Sequence, residues 1–143
     1  MAGPFRQQID LAEINRLSAD SAIGNLGIVF SEAGEDYLRA TMPVDARTLQ
    51  PFGILHGGAS LLLAESLGSF AATLCLEDRS RQMAVGLEIN ANHLRTAKDG
   101  VVTGTARPIH VGRSTQVWDI RIEDEQGRAV CVSRLTLAVV SRP

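Results

Sequence analysis

The longest apolar segment of the chain runs from Ile54 to Ala72 and is rich in Leu, Ala and Gly. Leu, Ala and Glu favour helix, and two adjacent glycines suit a tight turn at a helix start. Between Arg47 and Glu77 the only Asp, Glu, Lys or Arg is Glu65. Helices that are apolar on nearly every side lie in the middle of domains, so this segment predicts a long central helix walled in by other elements.

Weaker patterns precede the central helix. A short helix is predicted over residues 10–17, where apolar side chains recur at helical spacing behind Asp10, a favourable N-cap. Two short strands are predicted around residues 27–31 and 37–42, with a Gly-Glu-Asp turn between them. Residues 45–53 are predicted to form a loop that leads into the central helix.

Beyond the central helix the hydrophobic period changes to two, which is typical of strands. Four long antiparallel strands are predicted over residues 82–93, 101–109, 118–123 and 131–139, and turns rich in charged residues or glycine separate them. On the first of these strands the alternation places these apolar residues on one face, with His93 continuing the register: Met83, Val85, Leu87, Ile89 and Ala91.

The order of elements predicts an α+β fold in which one curved antiparallel sheet of about six strands wraps the central helix, because nothing else in the chain can cover it. A length of 143 residues corresponds to one domain, residues 1–143, with residues 1–24 as a helical lead-in.

Composition excludes several classes of function. A formal net charge of −2 offers no electrostatic field for nucleic acid or an anionic membrane. Cys75 and Cys131 have neither metal-ligand spacing nor a disulfide pattern, so we expect no metal. The first ten residues lack the pattern of a secretion signal, which favours a cytoplasmic protein.

Glu65 is the first candidate for chemistry. Burying a lone carboxylate in an apolar helix costs several kcal/mol unless something compensates. Either Glu65 is a satisfied core residue or lies on the one wet edge of the helix, or it belongs to a reactive site with His56 just upstream. Perturbed carboxylates concentrate in reactive sites, so the pattern favours the last reading.

The motif His56-Gly57-Gly58 followed by Leu63-Ala64-Glu65 resembles the acyl-CoA thioesterases of the hotdog fold, which have the order of elements described above. The resemblance extends from about Asn25 to Val139 and is closest to the 4-hydroxybenzoyl-CoA thioesterase branch, whose carboxylate lies on the central helix. Within that branch the chain is similar to the 1,4-dihydroxy-2-naphthoyl-CoA hydrolases and to the enterobactin-pathway proofreading thioesterases. The run Glu88-Ile89-Asn90-Ala91-Asn92-His93 carries part of this resemblance.

The resemblance implies that Glu65 attacks the thioester, as a nucleophile through a mixed anhydride or as a general base on water. The N–H groups of Gly57 and Gly58, at the positive end of the helix dipole, would polarise the carbonyl. Gln50 and His56 would orient the carbonyl or the water. Ser69, one turn after Glu65, would hold the carboxylate or the water, unless its hydroxyl bonds back to a helix carbonyl.

The strand ends carry the implied substrate-binding residues. His93 and His110 each end a predicted strand. We interpret the two strand ends as neighbours, which places the segments that begin at these histidines in one ligand groove. Family resemblance implies a channel for the acyl group, pantetheine and phosphates, with Arg95 and Arg113 on the phosphates. The full set is Gly86, His93, Leu94, Arg95, Thr96, His110, Val111, Gly112, Arg113, Ser114 and Thr115.

The leading prediction is hydrolysis of acyl-CoA thioesters with aromatic or bulky acyl groups, such as hydroxybenzoyl-CoA or dihydroxynaphthoyl-CoA, without a cofactor beyond the coenzyme A of the substrate. The alternatives are a thioesterase that acts on an acylated carrier protein and a non-catalytic acyl-CoA-binding protein; a hydroxyacyl dehydratase fits the spacing of His56 and Glu65 poorly. Gly57 and Glu65 are eight residues apart, about 12 Å along a helix, so both serve one substrate only in a dimer with shared sites. Family resemblance further implies a homotetramer.

Overall fold

A computed structural model describes residues 3–143, in which six strands form one antiparallel sheet that packs against a single long helix. The predicted α+β hotdog architecture is confirmed. The helices are α1 (Leu11–Ser18), α2 (Ala22–Asn25) and the central α3 (Gly57–Leu74), and the strands are β1 (Val29–Ala33), β2 (Leu38–Pro43), β3 (Gln82–His93), β4 (Val101–Val111), β5 (Thr115–Glu123) and β6 (Ala129–Ser141).

The elements agree with the predicted segments except at their ends. The Asp10 side chain caps α1 by accepting the Glu13 N–H at 3.1 Å, as the sequence indicated. The central helix begins at Gly57, three residues later than the apolar run. Helix α2 was not predicted, because it is a single turn held by the Ser21 hydroxyl, which accepts the Ile23 N–H at 3.2 Å.

The strand order is β1-β2-β4-β5-β6-β3, which leaves β3 at an edge of the sheet. Although β3 and β4 follow one another in sequence, β6 and β5 lie between them. Because every neighbouring pair is antiparallel, the carboxyl ends of β3 and β4 lie at opposite ends of the sheet. The interpretation that His93 and His110 occupy neighbouring strand ends is therefore wrong for a single chain.

A β-bulge interrupts the alternation predicted for β3. Pairing with β6 slips between Gly86 and Glu88, so Leu87 is an extra residue that reverses the faces of the strand beyond it. Ile89 and Ala91 pack against the core, whereas Val85 is 38% exposed and Leu87 is 65% exposed. The prediction of one continuous apolar face from residue 83 to residue 91 is wrong for this reason.

The core lies between the sheet and one side of α3. Leu63 and Leu67 of the helix and Trp118 and Ile120 of β5 have no exposed surface. Burying each such leucine stabilises the fold by about 2 kcal/mol. The opposite side of α3, which carries Glu65, is open to solvent, so the expectation that the helix is walled in on all sides is wrong for one chain. Across the described residues 3–143, no helix has the length and apolarity needed to cross a membrane.

Candidate active site

The loop before α3 is fixed by hydrogen bonds from three directions. The Thr48 hydroxyl, which is buried, donates to the Pro43 carbonyl at 2.6 Å. The His56 N–H donates to the Thr48 carbonyl at 2.8 Å, and the Leu55 N–H donates to the Ala97 carbonyl at 2.7 Å. These bonds set the position at which α3 begins and therefore the positions of the side chains just before it.

Gln50 has a fixed side-chain orientation within this loop. Its N–H donates to the Ile54 carbonyl at 2.8 Å, and its side-chain Oε1 accepts the Phe52 N–H. Gly53 closes the turn with a φ of 83°, which glycine adopts without strain. Because Oε1 is engaged, the side chain presents the hydrogens of Nε2, so Gln50 lines its cavity as a hydrogen-bond donor.

His56 is the N-cap of α3. Its Nδ1 accepts the Gly58 N–H at 2.8 Å, so in the neutral ring the proton lies on Nε2 and the outer edge of the imidazole is a donor. This bond also engages the Gly58 amide, which the sequence analysis offered beside Gly57 as a donor to the substrate carbonyl. Among residues 3–143 the Gly57 N–H has no hydrogen-bond acceptor, so it is the amide of this pair that remains for a ligand.

Gly57 lies against the end of β3. A Cβ atom at this position would come within 3.0 Å of His93 Nε2, so a side chain here would crowd the imidazole. Gln50, Gly57 and His93 line one cavity of about 340 Å³. The other residues around it are Ile54, Leu55, Ser60, Leu94, Arg95, Thr96 and Val130. The structure thus brings the loop before α3 together with the segment after β3.

Glu65 lies in a separate depression on the open side of α3. Its neighbours there are Gly58, Leu61, Leu62, Ser66 and Ile89. Glu65 is exposed, and among residues 3–143 its carboxylate has neither a hydrogen-bond donor nor an ion-pair partner. The expectation that one chain buries this carboxylate in a desolvated pocket is therefore wrong, because no element of the same chain covers this side of the helix.

Gly86 faces the Glu65 carboxylate from β3. A Cβ atom at Gly86 would lie 3.3 Å from Glu65 Oε2, which is closer than an ordinary contact. The resemblance placed Gly86 among the substrate-binding residues; the structure shows that its lack of a side chain leaves room beside the carboxylate. A glycine inside a strand is a known signal of a bulge or a close approach, and that signal could have located both features in the sequence.

Ser69 lies one turn after Glu65 and is half-buried. The hydroxyls of its helix neighbours bond back to carbonyls: Ser66 donates to Leu62 at 2.6 Å, and Thr73 donates to Ser69 at 2.8 Å. Within residues 3–143 the Ser69 hydroxyl makes no such bond. Its hydroxyl is therefore free to approach a group beside Glu65, and the alternative of a back-bonded serine does not hold.

The two groups expected to act on one carbonyl lie far apart in one chain. Gly57 and Glu65 belong to the same continuous helix, eight residues apart, which corresponds to about 12 Å along its axis. The cavity of Gln50, Gly57 and His93 does not include Glu65, and the depression around Glu65 includes none of these three residues. Each chain therefore carries two separate halves of the predicted catalytic set.

The segment from His110 to Thr115 lies at the other end of the sheet from His93. Its members Val111, Gly112 and Arg113 line a further cavity of about 450 Å³ near the carboxyl end of α3. The turn is closed by the Gly112 N–H, which donates to the Thr115 carbonyl at 2.9 Å. Ser114 accepts the Val139 N–H through its carbonyl at 2.9 Å, and neither Ser114 nor Thr115 lines this cavity.

No candidate metal site is formed by the described residues. Between residues 3 and 143, His, Cys, Asp and Glu side chains nowhere group in threes that could hold a metal ion. Cys75 and Cys131 are free thiols, and burial raises the pKa of Cys75 to about 12. At neutral pH Cys75 is thus protonated and a poor nucleophile.

Comparison with known proteins gives the family. Residues 52–131 match the model of the thioesterase superfamily. The chain is 52% identical over 136 residues to the 1,4-dihydroxy-2-naphthoyl-CoA hydrolase of Escherichia coli, covering 95% of this chain and 98% of that protein. It is 48% identical over 136 residues to the proofreading thioesterase EntH of Cronobacter sakazakii, with the same coverage of 95% and 98%.

A solved structure agrees with these relatives. A mutant thioesterase of Pseudomonas aeruginosa superimposes with a TM-score of 0.96 at 51% identity, covering 98% of this chain and 100% of that one. The chain belongs to the thioesterase superfamily and is a hotdog-fold thioesterase. The resemblance identified in the sequence is therefore confirmed.

Proposed function

We propose that the protein hydrolyses acyl-CoA thioesters with aromatic or similarly bulky acyl groups, such as hydroxybenzoyl-CoA or dihydroxynaphthoyl-CoA, in active sites shared between two chains. The observation that carries the proposal is the separation of Glu65 from Gly57 on one helix. A carboxylate without a partner on one open surface and a cluster of hydrogen-bond donors on another are the two halves of a hydrolytic site.

A two-fold axis brings the halves together if it lies midway between them. On α3 the midpoint between Gly57 and Glu65 is Leu61, and on β3 the midpoint between Gly86 and His93 lies beside Ile89. Leu61 and Ile89 line the same open depression, so both elements point to one axis. Antiparallel pairing of two α3 helices there places Glu65 of each chain opposite Gly57 of the other.

The edge strand supports the same pairing. β3 has twelve residues and leaves its outer backbone groups unpaired at the edge of the sheet, which is an aggregation hazard for a monomer. Val85 and Leu87 add exposed apolar surface to this edge. Pairing β3 with its copy covers the strand and, with it, the open side of α3. It also removes water from Glu65, which makes the carboxylate a stronger base and nucleophile.

The donors around Gly57 suit the developing negative charge on the thioester oxygen. The Gly57 N–H and Gln50 Nε2 offer hydrogens at the cavity, and the amino end of α3 adds its positive dipole. His56 Nε2 offers a third hydrogen from the residue before Gly57, outside the lining of the cavity. Glu65 of the other chain then acts by one of two routes. As a nucleophile it bonds to the carbonyl carbon, the C–S bond breaks, thiolate leaves, and water cleaves the resulting mixed anhydride. As a general base it takes a proton from the water that attacks the same carbon, and the C–S bond then breaks to release thiolate and the free acid.

The proposal also covers the acyl group, the oligomeric state, the need for a cofactor and the cellular location. The relative named 1,4-dihydroxy-2-naphthoyl-CoA hydrolase supports a bulky aromatic acyl group. Phe52, whose N–H donates to the Gln50 side chain, is 91% exposed and offers an aromatic surface in the same loop. We extend the proposal to a tetramer of two such dimers, on the family resemblance, and to hydrolysis without a cofactor. Two free cysteines support a reducing, cytoplasmic location.

A panel of thioesters tests the proposed function. The purified protein is assayed by release of free thiol from benzoyl-, hydroxybenzoyl-, dihydroxynaphthoyl- and straight-chain acyl-CoA, and from the same acyl groups on a carrier protein. We expect the aryl-CoA esters to give the highest kcat/KM. Preference for the carrier-bound esters would replace coenzyme A by a carrier protein as the partner. Tight binding without thiol release from any ester would show a non-catalytic acyl-CoA-binding protein.

Two substitutions of His56 separate its role as a helix cap from its role as a hydrogen-bond donor to the substrate. His56→Ala removes the cap of Gly58, and the free energy of unfolding should fall by about 1 kcal/mol. His56→Asn keeps a capping oxygen and should retain stability, yet both variants should lose tenfold or more in kcat because the Nε2 donor is gone. Thermal unfolding and steady-state kinetics measure the two effects; full activity in His56→Asn would reduce His56 to a cap.

A further inference from the structure

Ser60, in the first turns of α3, differs from the other buried polar residues of the chain. Within residues 3–143 the buried polar residues are Ser18, Thr48, Ser60, Gln116 and Ser133. The side chains of the other four each donate a hydrogen bond to a backbone carbonyl. Ser60 is 1% exposed, and its hydroxyl has no hydrogen bond to any of residues 3–143. Because buried polar groups are nearly always hydrogen-bonded, this hydroxyl indicates a missing partner.

The helix itself does not supply that partner. A serine in a helix commonly donates to the carbonyl four residues before it, as Ser66 does to Leu62 at 2.6 Å. For Ser60 this carbonyl is that of His56, which already accepts the N–H groups of Ala59 and Ser60 at 3.0 and 3.2 Å. The Ser60 hydroxyl therefore keeps its hydrogen and its lone pairs for a group outside the helix.

The Ser60 hydroxyl reaches the cavity of about 340 Å³ that Gln50, Gly57 and His93 also line. Among residues 3–143 no side-chain nitrogen or oxygen is both sealed from solvent and without a hydrogen bond. The unbonded Ser60 hydroxyl is therefore open to solvent space, and the cavity that Ser60 lines provides that space. The structure thus adds a hydroxyl to the half of the candidate site that contains the Gly57 amide.

The distance between Ser60 and Gly57 limits what this hydroxyl contacts. The two residues are three positions apart on α3, about 4.5 Å along its axis. Helix side chains lean toward the amino end, which brings the Ser60 hydroxyl back toward Gly57. Two successive hydrogen bonds between oxygens span roughly 5.5 Å. A ligand group that bonds both to Ser60 and to a carbonyl oxygen held by the Gly57 amide therefore fits this separation.

A hydroxyl on the ring carbon next to the thioester is such a group. In a 2-hydroxyaryl ester the hydroxyl and the carbonyl oxygen lie within hydrogen-bond distance of each other, about 2.7 Å. The hydroxyl donates to that carbonyl and still accepts a hydrogen bond through its own lone pairs. Among the acyl groups proposed above, 1,4-dihydroxy-2-naphthoyl has a hydroxyl beside its carbonyl. The hydroxyl of 4-hydroxybenzoyl lies across the ring and does not make this contact.

We propose that the Ser60 hydroxyl donates a hydrogen bond to an acyl-group hydroxyl adjacent to the thioester, and that it thereby makes 2-hydroxyaryl-CoA esters the preferred substrate class. An acyl group without this hydroxyl leaves Ser60 unpaired in the closed complex, so the site discriminates against it. The inference rests on the proposed function and assigns Ser60, which the sequence analysis did not single out, as a specificity-determining residue.

Kinetics of Ser60→Ala with three esters test this assignment. The esters are benzoyl-, 2-hydroxybenzoyl- and 4-hydroxybenzoyl-CoA, and kcat/KM is measured for each by thiol release. Ser60→Ala should lower kcat/KM about tenfold for the 2-hydroxybenzoyl ester and leave the other two values unchanged. Because each ester is compared between two proteins, its intrinsic reactivity cancels. An equal loss with all three esters, or no loss with any, would overturn the role of Ser60.

Ser18→Ala is the matched control. Ser18 is also a buried helix serine, but its hydroxyl donates to the Ile14 carbonyl at 2.8 Å and it lines neither half of the candidate site. This variant should keep wild-type kcat/KM for all three esters. Ser60→Ala loses no hydrogen bond within the chain and gains helix propensity, so its melting temperature should not fall below that of the wild type.

Binding of two ketone analogues separates the inference from the proposed function. 2-Hydroxyphenacyl-CoA carries the hydroxyl beside a ketone that is not hydrolysed, and phenacyl-CoA lacks the hydroxyl. In titration calorimetry the wild type should bind the first about tenfold more tightly, and Ser60→Ala should abolish the difference.

The outcomes distinguish the two claims. Equal Kd values for the two ketones in a wild-type protein that hydrolyses benzoyl-CoA would overturn the inference and leave thioester hydrolysis standing. A difference in Kd that Ser60→Ala abolishes, without turnover of any ester, would support the role of Ser60 and contradict the proposed function.

Discussion

Replacing Glu65 by Ala should lower kcat by roughly a thousandfold or more while leaving the fold intact. In the proposed mechanism this carboxylate attacks the thioester or activates water, and no other acidic residue lines the depression in which it lies. Glu65→Asp should also be poor, since one methylene withdraws the carboxylate by more than about 1 Å from a geometry-sensitive attack.

The stability of Glu65→Ala, unlike its kcat, should not fall. Glu65 is exposed and has no hydrogen-bond or ion-pair partner among residues 3–143, and Ala is the better helix former. Thermal unfolding of Glu65→Ala should therefore match or exceed that of the wild type. The control is Glu123→Gln at the end of β5, an exposed carboxylate that lines neither half of the candidate site, which should keep wild-type kinetics. Near-normal turnover in Glu65→Ala would remove Glu65 from the mechanism.

The sequence predicted the elements well because each has a local cause. The apolar run that contains α3, the Asp10 cap of α1 and the alternation of the later strands are patterns within a few residues of one another. Local patterns do not determine which strands become neighbours. The separation of β3 from β4 by two later strands therefore could not be predicted from periodicity, and the ends at His93 and His110 were wrongly placed together.

Two wrong predictions, on Glu65 and on β3, both concern apolar surface that is exposed in the single chain. The apolar composition around Glu65 predicted burial, yet this side of α3 is open. The apolar residues Val85 and Leu87 predicted an inner face of β3, yet they are exposed beside the bulge. A hydrophobic pattern indicates a covered surface, but it does not tell whether the same chain or another molecule covers it. A second copy of this chain would cover both the open side of α3 and the exposed residues of β3.

The Gly58 amide illustrates a third limit. Sequence reasoning placed both amides of the Gly-Gly pair at the positive end of the helix as donors. The structure shows that the His56 ring accepts one of them, at 2.8 Å, so the same residue that offers a donor to a ligand also removes one. Side-chain caps of this kind depend on a rotamer and cannot be read from composition.

Mixing two proteins that are each strongly impaired should restore activity. Glu65→Ala lacks the carboxylate in every site, and His56→Ala lacks the opposite donor in every site. If each site takes Glu65 from one chain and His56 from the other, a hybrid of the two has one doubly defective site and one intact site. Unfolding and refolding an equal mixture makes about half the dimers hybrid, so about a quarter of wild-type activity should return.

A second mixture, in which both substitutions lie on the same chain, provides the control. The double variant Glu65→Ala/His56→Ala, refolded with an equal amount of wild-type chain, yields hybrids in which both shared sites are defective. Activity should then fall to about a quarter of that of the same total amount of wild type, whereas sites within single chains would leave about a half. Native mass spectrometry counts the hybrids in both mixtures.

The thiol-release rate of the refolded Glu65→Ala and His56→Ala mixture is thus the most direct test of the shared active site. Shared sites should give about a quarter of wild-type turnover once half of the dimers are hybrid. Hybrids present in that proportion and inactive would contradict it and would place the whole reaction within one chain.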